Sequence, residues 1–88
     1  TQSPENIASF SVLPNPVRDA AYLSWKMKKP QEGRLLVTDP AGRLVTQQNF
    51  SSREEGQAFL QTWNWAPGIY HCILETADSR ATTMLVKL

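Results

Sequence analysis

Apolar and polar residues alternate along much of the chain, most clearly in residues 20–28, AAYLSWKMK. Successive side chains of a strand point to opposite faces, so this period of two predicts a half-buried β-strand. We expect the opposite face of the strand to present Tyr22, Ser24, Lys26 and Lys28. The face that enters the core is expected to consist of Ala21, Leu23, Trp25 and Met27.

Turn residues divide the rest of the chain into further short segments of β-forming residues. PQEG at 30–33 and ADS at 77–79 are predicted turns, and DPAG at 39–42 has proline and glycine where a β-turn favours them. This spacing predicts an all-β fold, an immunoglobulin-like antiparallel β-sandwich of about seven strands in two sheets. Apart from 20–28 and the segment treated next, the predicted strands are 10–13, 34–38, 43–50, 69–76 and 80–88.

Residues 51–63, SSREEGQAFLQTW, fit two kinds of secondary structure. Ser52 stands three residues before Glu55, which is the spacing of a helix capping box. Residues 58–61 also alternate as a strand does, and Gly56 would weaken a helix. We favour a strand here, with a short helix as the alternative.

Residues 1–9, TQSPENIAS, are polar, contain Pro4 and show no periodicity. We predict that they form a linker or a frayed terminus and that residues 10–88 form the folded domain. Because the first residue is Thr1 and not methionine, we expect the chain to be a fragment of something longer. No apolar run has the length needed to cross a bilayer, and no cationic and apolar leader opens the chain.

Two prolines bracket one asparagine directly behind the first apolar segment, at Pro14, Asn15 and Pro16. A proline has no N–H to give to a β-ladder and moves the residue before it away from helical geometry. Such a segment lies at a sheet edge or outside the sheet. We predict that it ends the first strand and deters aggregation at that edge.

Composition and charge narrow the classes of function. The chain has 88 residues, of which 41% are hydrophobic and 19% charged, as expected of one soluble globular domain. A net charge of +1 provides no field for nucleic acid or an anionic membrane. The basic cluster KMKKP at 26–30 is interpreted as a solvated strand end.

Residues for catalysis are difficult to assemble from this chain. His71 is the single histidine and precedes the single cysteine, Cys72, in a predicted strand, so the two side chains point to opposite faces. No cluster has the spacing of zinc or calcium ligands, and no glycines form a phosphate-binding loop. We therefore predict no enzyme, no metal and no cofactor, with Cys72 as a small core residue. Trp63 and Trp65 are candidates for a sugar-binding platform, although tryptophans in small domains more often pack inward.

The stretch GIYHC places Tyr70 just after the turn residue Gly68 and before Cys72. In immunoglobulin-like sandwiches a tyrosine in this position donates its hydroxyl hydrogen bond to the backbone a few residues upstream. We therefore expect Tyr70, Cys72 and Leu74 to face the core. His71 and Ile73 are expected on the opposite face.

Taken in order, these motifs resemble the C-terminal sorting domain of the type IX secretion system. Members typically show Phe-x-x-x-Pro-Asn-Pro, a later Asp-x-x-Gly-Arg, a Gly-Ile-Tyr and a last strand with lysine. Pro40 and Ala41 stand where the family often has an apolar pair. The matching residues are Phe10, Pro14, Asn15, Pro16, Asp39, Gly42, Arg43, Gly68, Ile69, Tyr70 and Lys87.

The resemblance implies a non-catalytic secretion signal at the C-terminal end of a secreted cargo protein. Such domains are exported to the periplasm with their cargo and recognised by outer-membrane translocon components. They carry the cargo to the cell surface or the medium, and a cell-surface sortase often removes them by cutting before the first strand. The implied cutting region here is residues 1–9.

A competing hypothesis is an immunoglobulin-like carbohydrate-binding or spacer module of a secreted multidomain protein. Its distinguishing feature would be an exposed aromatic strip, for which Trp63 and Trp65 are the candidates. Quenching of tryptophan fluorescence by sugars would separate this hypothesis from a sorting signal.

Overall fold

The computed structural model describes residues 6–88 as an antiparallel all-β domain with no helix in that range. Its five strands form one sheet in the order β1-β2-β4-β5, with β3 also paired to β2. The strands are β1 (Ile7–Leu13), β2 (Ala20–Thr38), β3 (Leu44–Gln61), β4 (Gly68–Thr76) and β5 (Arg80–Lys87).

The long strand β2 organises the sheet, because it pairs with three neighbours. Its first part, residues 20–26, lies between β1 and the end of β3. Its second part, residues 33–38, lies between the beginning of β3 and β4, and β5 pairs with β4. The sheet is thereby curved like half a barrel, and both parts of β2 contribute to one core.

The predicted seven strands in two sheets are wrong, because the predicted strands 20–28 and 34–38 form one strand, β2, and the predicted strands 43–50 and 51–63 form one strand, β3. The sheet is a half-barrel and not the predicted immunoglobulin-like sandwich. The predicted turn at 30–33 lies inside β2, where the register with β3 shifts between Lys26 and Gln31 and again before Gly33. No residue pair joins β2 to β3 between Lys26 and Gln31, so Pro30 interrupts no ladder bond there. Extra residues at such shifts bend a strand without reversing it.

Several other predictions are confirmed. The turn at 39–42 reverses the chain, with the N–H of Gly42 donating to the carbonyl of Asp39 at 2.8 Å. Residues 51–61 belong to β3, so the strand hypothesis for this segment is confirmed and the helix alternative is wrong. A glycine fits at position 56 because a Cβ there would lie 2.6 Å from the Trp25 ring on the paired residue of β2.

The first strand begins at Ile7, three residues before its predicted start at Phe10. Ile7 is buried in the core and paired with Met27, so burial of one apolar side chain extends the strand into a segment that looked polar. Of the predicted linker at 1–9, residues 1–5 lie outside the described residues.

The core confirms the faces predicted from alternation. Ala21, Leu23, Trp25 and Met27 are all buried. The Trp25 ring packs against Phe50 with a centroid distance of 4.8 Å. The remaining core residues are Ile7, Val12, Val17, Leu35, Val37, Ala58, Leu60, Tyr70, Cys72, Leu74 and Leu85.

Candidate recognition site

The Pro-Asn-Pro segment runs along the outer edge of β5. Both of its X-Pro peptide bonds are cis. The Asn15 side chain donates from Nδ2 to the carbonyl of Met84 at 2.9 Å, and its Oδ1 accepts the N–H of Val86 at 3.0 Å. One side-chain amide thus bonds two successive edge positions of β5, as the peptide group of a neighbouring strand would.

Val17 continues this pairing directly after the second proline. Its N–H donates to the carbonyl of Val86 at 2.8 Å, and its own carbonyl accepts the N–H of Leu88 at 3.0 Å. Its side chain is fully buried. Together with Asn15, it closes the last part of the β5 edge, which would otherwise present unpaired backbone groups to other chains.

The predicted role of the Pro-Asn-Pro segment is therefore confirmed in one respect and extended in another. β1 ends at Leu13, directly before the first proline, as expected. The edge that the segment protects belongs to β5, which the sequence analysis did not identify. The available signal was Val17, a β-branched apolar residue in an otherwise polar connection.

Asn15→Asp is expected to lower the free energy of unfolding by about 1 kcal/mol, since the Met84 carbonyl loses its hydrogen-bond donor. The carboxylate has no N–H, so an oxygen would face the Met84 carbonyl in place of the Nδ2 donor. Urea denaturation measures the change. Asn49→Asp, at an exposed position of β3, should stay within about 0.5 kcal/mol. Equal effects of the two substitutions would contradict the role assigned to Asn15.

Lys87 lies on the other side of Val17 and is only 8% exposed. Its Nζ donates to the carbonyl of Arg18, which also accepts the Thr62 hydroxyl at 3.2 Å. The aliphatic stem of Lys87 is therefore buried while its ammonium is hydrogen-bonded. These bonds attach the connection between β1 and β2 to the last strand.

Gly68 is paired with Lys87 and contacts the turn between β2 and β3. Its φ is +151°, and a Cβ built there would lie 2.8 Å from Cγ of Pro40. A glycine at this position permits the close approach. Pro40, one of the departures from the family pattern, thus forms a contact with the Gly-Ile-Tyr motif.

The Asp39 carboxylate stabilises the same turn from within. Its Oδ1 accepts the N–H of Ala41 at 3.0 Å and the N–H of Arg43 at 2.8 Å, and its Oδ2 accepts Arg43 Nε at 3.1 Å. The Arg43 N–H, followed by the charge of that side chain, holds the pKa of the Asp39 carboxyl below its usual value. Asp39, Gly42 and Arg43 therefore form one closed turn, with most of the Arg43 side chain exposed.

Tyr70 follows Gly68 and Ile69 on β4, and its predicted orientation is confirmed. Tyr70, Cys72 and Leu74 are buried, whereas His71 is exposed and Ile73 is half-buried. The Tyr70 hydroxyl donates to the carbonyl of Ala66 at 2.7 Å, the expected upstream bond. Burial raises the pKa of the Cys72 thiol to about 12, so the thiol stays uncharged at neutral pH, as befits a core residue.

The two tryptophans considered as a sugar-binding platform do not form an exposed pair. Trp65 stacks on Tyr70 with a centroid distance of 4.8 Å and packs against the core. Trp63 is 68% exposed. A strip of two exposed tryptophans is therefore not present.

The contacts above bring all the motifs together at one end of the sheet. Val17 is bridged to Lys87, Lys87 is paired with Gly68, and Gly68 lies against Pro40. We call this region the motif end and define it as residues 13–19, 39–43, 62–70 and 84–88. It contains every motif residue predicted after Phe10, namely Pro14, Asn15, Pro16, Asp39, Gly42, Arg43, Gly68, Ile69, Tyr70 and Lys87.

Large exposed apolar side chains are concentrated at the motif end and at the strand positions next to it. They are Leu13, Tyr22, Leu44, Val45, Phe59, Trp63, Ile69, Met84, Val86 and Leu88. Charged residues dominate the opposite end, where β2 and β3 bend and β4 turns into β5. Those charged residues are Lys28, Lys29, Glu32, Arg53, Glu54, Asp78 and Arg80. An apolar surface at one end of a small domain is typical of a docking site.

Within residues 6–88, no group of His, Cys, Asp and Glu side chains is placed to hold a metal ion. No helix of that part of the chain is long and apolar enough to cross a membrane. His71 and Cys72 lie on opposite faces of β4, as their adjacent positions predicted.

The fold and its motif end define a class of protein, an all-β module in which motifs from distant parts of the sequence shape one surface. The family model described as secretion system C-terminal sorting domain matches residues 11–87. The chain therefore belongs to the C-terminal sorting domain family of the type IX secretion system. Membership supports a C-terminal secretion sorting signal and export to the cell surface or medium. No curated protein and no solved structure matches the chain.

Proposed function

We propose that this domain is a non-catalytic signal that directs an N-terminal cargo protein through the outer-membrane translocon of the type IX system. The observation that carries the proposal is the convergence of the family motifs at one end of the sheet, next to exposed apolar side chains. Translocon components would contact this motif end. Burial of apolar surface provides most of the free energy in protein association.

Within the motif end, Ile69 and Val86 are the best-placed contact residues. They are paired across β4 and β5 and both are exposed. Val86 also lies between the bonds that Asn15 and Val17 make, so its position is fixed from both sides. A rigid, exposed apolar pair of this kind suits the centre of an interface.

We further propose that a cell-surface sortase cuts the chain before the first strand. A protease requires an extended and unpaired segment. Residues 7–9 are part of β1 and Ile7 is buried, which favours a cut on the N-terminal side of Ile7.

Ile69→Lys is expected to abolish most export while leaving folding nearly unchanged. Its side chain is 48% exposed, so the free energy of unfolding should change by about 0.5 kcal/mol or less. A lysine there would place a hydrated charge in an apolar contact surface. To measure export, the chain is fused to the C-terminus of a periplasmically exported reporter in a host with a type IX system. Reporter is then quantified in periplasm, on the surface and in the medium.

The matched control is Thr82→Lys, which adds the same charge to the exposed face of β5 at the opposite end. It should leave export intact, as should His71→Ala, since no chemistry is assigned to that imidazole. If Thr82→Lys blocks export as strongly as Ile69→Lys, the assignment to the motif end is wrong. If the unaltered fusion remains periplasmic while a known sorting domain is exported, the sorting proposal itself fails.

A further inference from the structure

Two of the edge strands, β5 and β3, differ in whether their outer edges are paired. The end of β5 is closed by Asn15 and Val17. In the described part of the chain, β3 pairs with β2 alone, so its other edge is open along its length. An open strand edge carries unpaired N–H and C=O groups that can pair with another strand.

A backbone hydrogen bond at the end of β3 establishes which backbone groups face that open edge. The N–H of Thr62 donates to the carbonyl of Asp19, towards β2. Backbone groups of alternate residues in a strand point to opposite sides. The register from Ala20 to Lys26 has no shift, so Gln57, Phe59 and Gln61 direct their N–H and C=O groups away from β2.

The sequence of this edge is a palindrome in residue type. Residues 57–61 read QAFLQ, with glutamine at both ends, phenylalanine at the centre and an aliphatic residue between. The segment contains no charged residue and no proline. Charged residues and proline are two features by which edge strands usually avoid pairing. An antiparallel pair of two such segments, with the two-fold axis at Phe59, would match every residue with its own type.

The outer face of the sheet supplies a second, independent feature centred on the same residue. Leu13, Tyr22 and Phe59 are paired in register across β1, β2 and β3, and all three are largely exposed. The rings of Tyr22 and Phe59 have a centroid distance of 5.2 Å. This apolar row ends at the open edge, so its continuation across that edge would bury it further.

We propose that residues 57–61 are a self-association site, where the edge of β3 pairs antiparallel with the same edge of a second copy. Gln57 pairs with Gln61 of the second copy, and Phe59 pairs with Phe59 of the second copy. Three such pairs exchange about six backbone hydrogen bonds, and the two apolar rows join into one. The interface is isologous and closes as a dimer, because each copy uses the same segment of β3.

The interface is small, so the dimer is weak and forms at high local concentration. It is independent of the proposed sorting function, since it uses a different edge from Ile69 and Val86. Sedimentation velocity on the chain from about 10 μM to about 1 mM, the range of weak interfaces, should show a monomer converting to a dimer.

Charge variants at the two glutamines test the register directly. In Gln57→Lys/Gln61→Glu, each lysine faces a glutamate of the second copy, so the dimer should form at least as tightly as the unaltered one. In Gln57→Lys/Gln61→Lys and in Gln57→Glu/Gln61→Glu, like charges face each other. Association should then weaken by about ten-fold or more. All three variants replace Gln57, so each alters its long side-chain contact with Ser24.

The outcomes separate this site from others. A chain that stays monomeric at about 1 mM would overturn the proposal. It would also be overturned if the mixed-charge and like-charge variants associate equally, because the partner would then not be QAFLQ in this register. Association lost in Met84→Lys but kept in both like-charge variants would assign the interface to the outer face of β4 and β5 instead.

Discussion

Deletion of residues 84–88 is expected to unfold the domain and to abolish export of a fused reporter. This stretch pairs with β4 on one side and with Asn15 and Val17 on the other. It buries Leu85 completely and Lys87 almost completely. A single buried leucine already contributes about 2–5 kcal/mol, against a total stability of about 5–15 kcal/mol for a domain. Circular dichroism and urea denaturation would report the loss of cooperative unfolding.

A shorter deletion provides the control for this experiment. Leu88 is largely exposed and contributes one backbone hydrogen bond to Val17. Removal of Leu88 alone should cost about 1 kcal/mol and leave a cooperative transition and export. If the chain lacking 84–88 still unfolds cooperatively with near-normal stability, the closing role assigned to the last strand is incorrect.

Tyr70→Ala is expected to lower the free energy of unfolding by about 3–5 kcal/mol, as truncation of a buried aromatic does. Tyr70 is 4% exposed and its ring stacks on Trp65, so its loss leaves a cavity beside that ring. The same change removes the donor to the Ala66 carbonyl. Urea denaturation of the isolated chain measures the effect.

Two further substitutions divide the contribution of Tyr70. Tyr70→Phe keeps the ring and removes the hydroxyl bond, so it should cost about 1 kcal/mol. Ile69→Ala truncates the neighbouring exposed side chain and should cost about 0.5 kcal/mol. An Ile69→Ala loss equal to that of Tyr70→Ala would show that the strand faces are assigned the wrong way.

Short-range sequence patterns correctly predicted the elements that depend on neighbouring residues. The alternation at 20–28 placed Trp25 and Met27 in the core, and the turn chemistry at 39–42 placed the β2–β3 hairpin correctly. The positions of Tyr70 and Cys72 followed from the period of two along β4. In each case the residues that carry the signal are close to one another in the sequence.

The number of strands was not predictable in the same way, because a bend and a reversal use similar residues. Pro30 and Gly33 are typical of a turn, yet both lie within β2, where shifts in register absorb them. Whether the chain reverses there depends on pairing with β3 and β4, which is decided by residues distant in sequence. The early start of β1 has the same origin, since Ile7 is held by Met27 and the core.

The motif residues were recognised in the sequence, but their common location was not. Asn15 and Val86 are separated by 71 positions, and no local pattern indicates that a side-chain amide bonds a distant backbone. Likewise, nothing in the sequence near Lys87 points to the carbonyl of Arg18. The convergence of the motifs is therefore a property of the tertiary structure.

The bonds from Asn15 and Val17 to β5 also have a consequence for the order in which the domain matures. A chain synthesised from its N-terminus exposes residues 15–17 early, but their partners at 84–88 follow much later, with 71 positions between Asn15 and Val86. Contacts of such long sequence separation form late and slow folding. The motif end is consequently assembled only after synthesis has passed Leu88. If translocon components contact the motif end as proposed, a chain interrupted before residue 88 lacks that contact surface and is not expected to be exported.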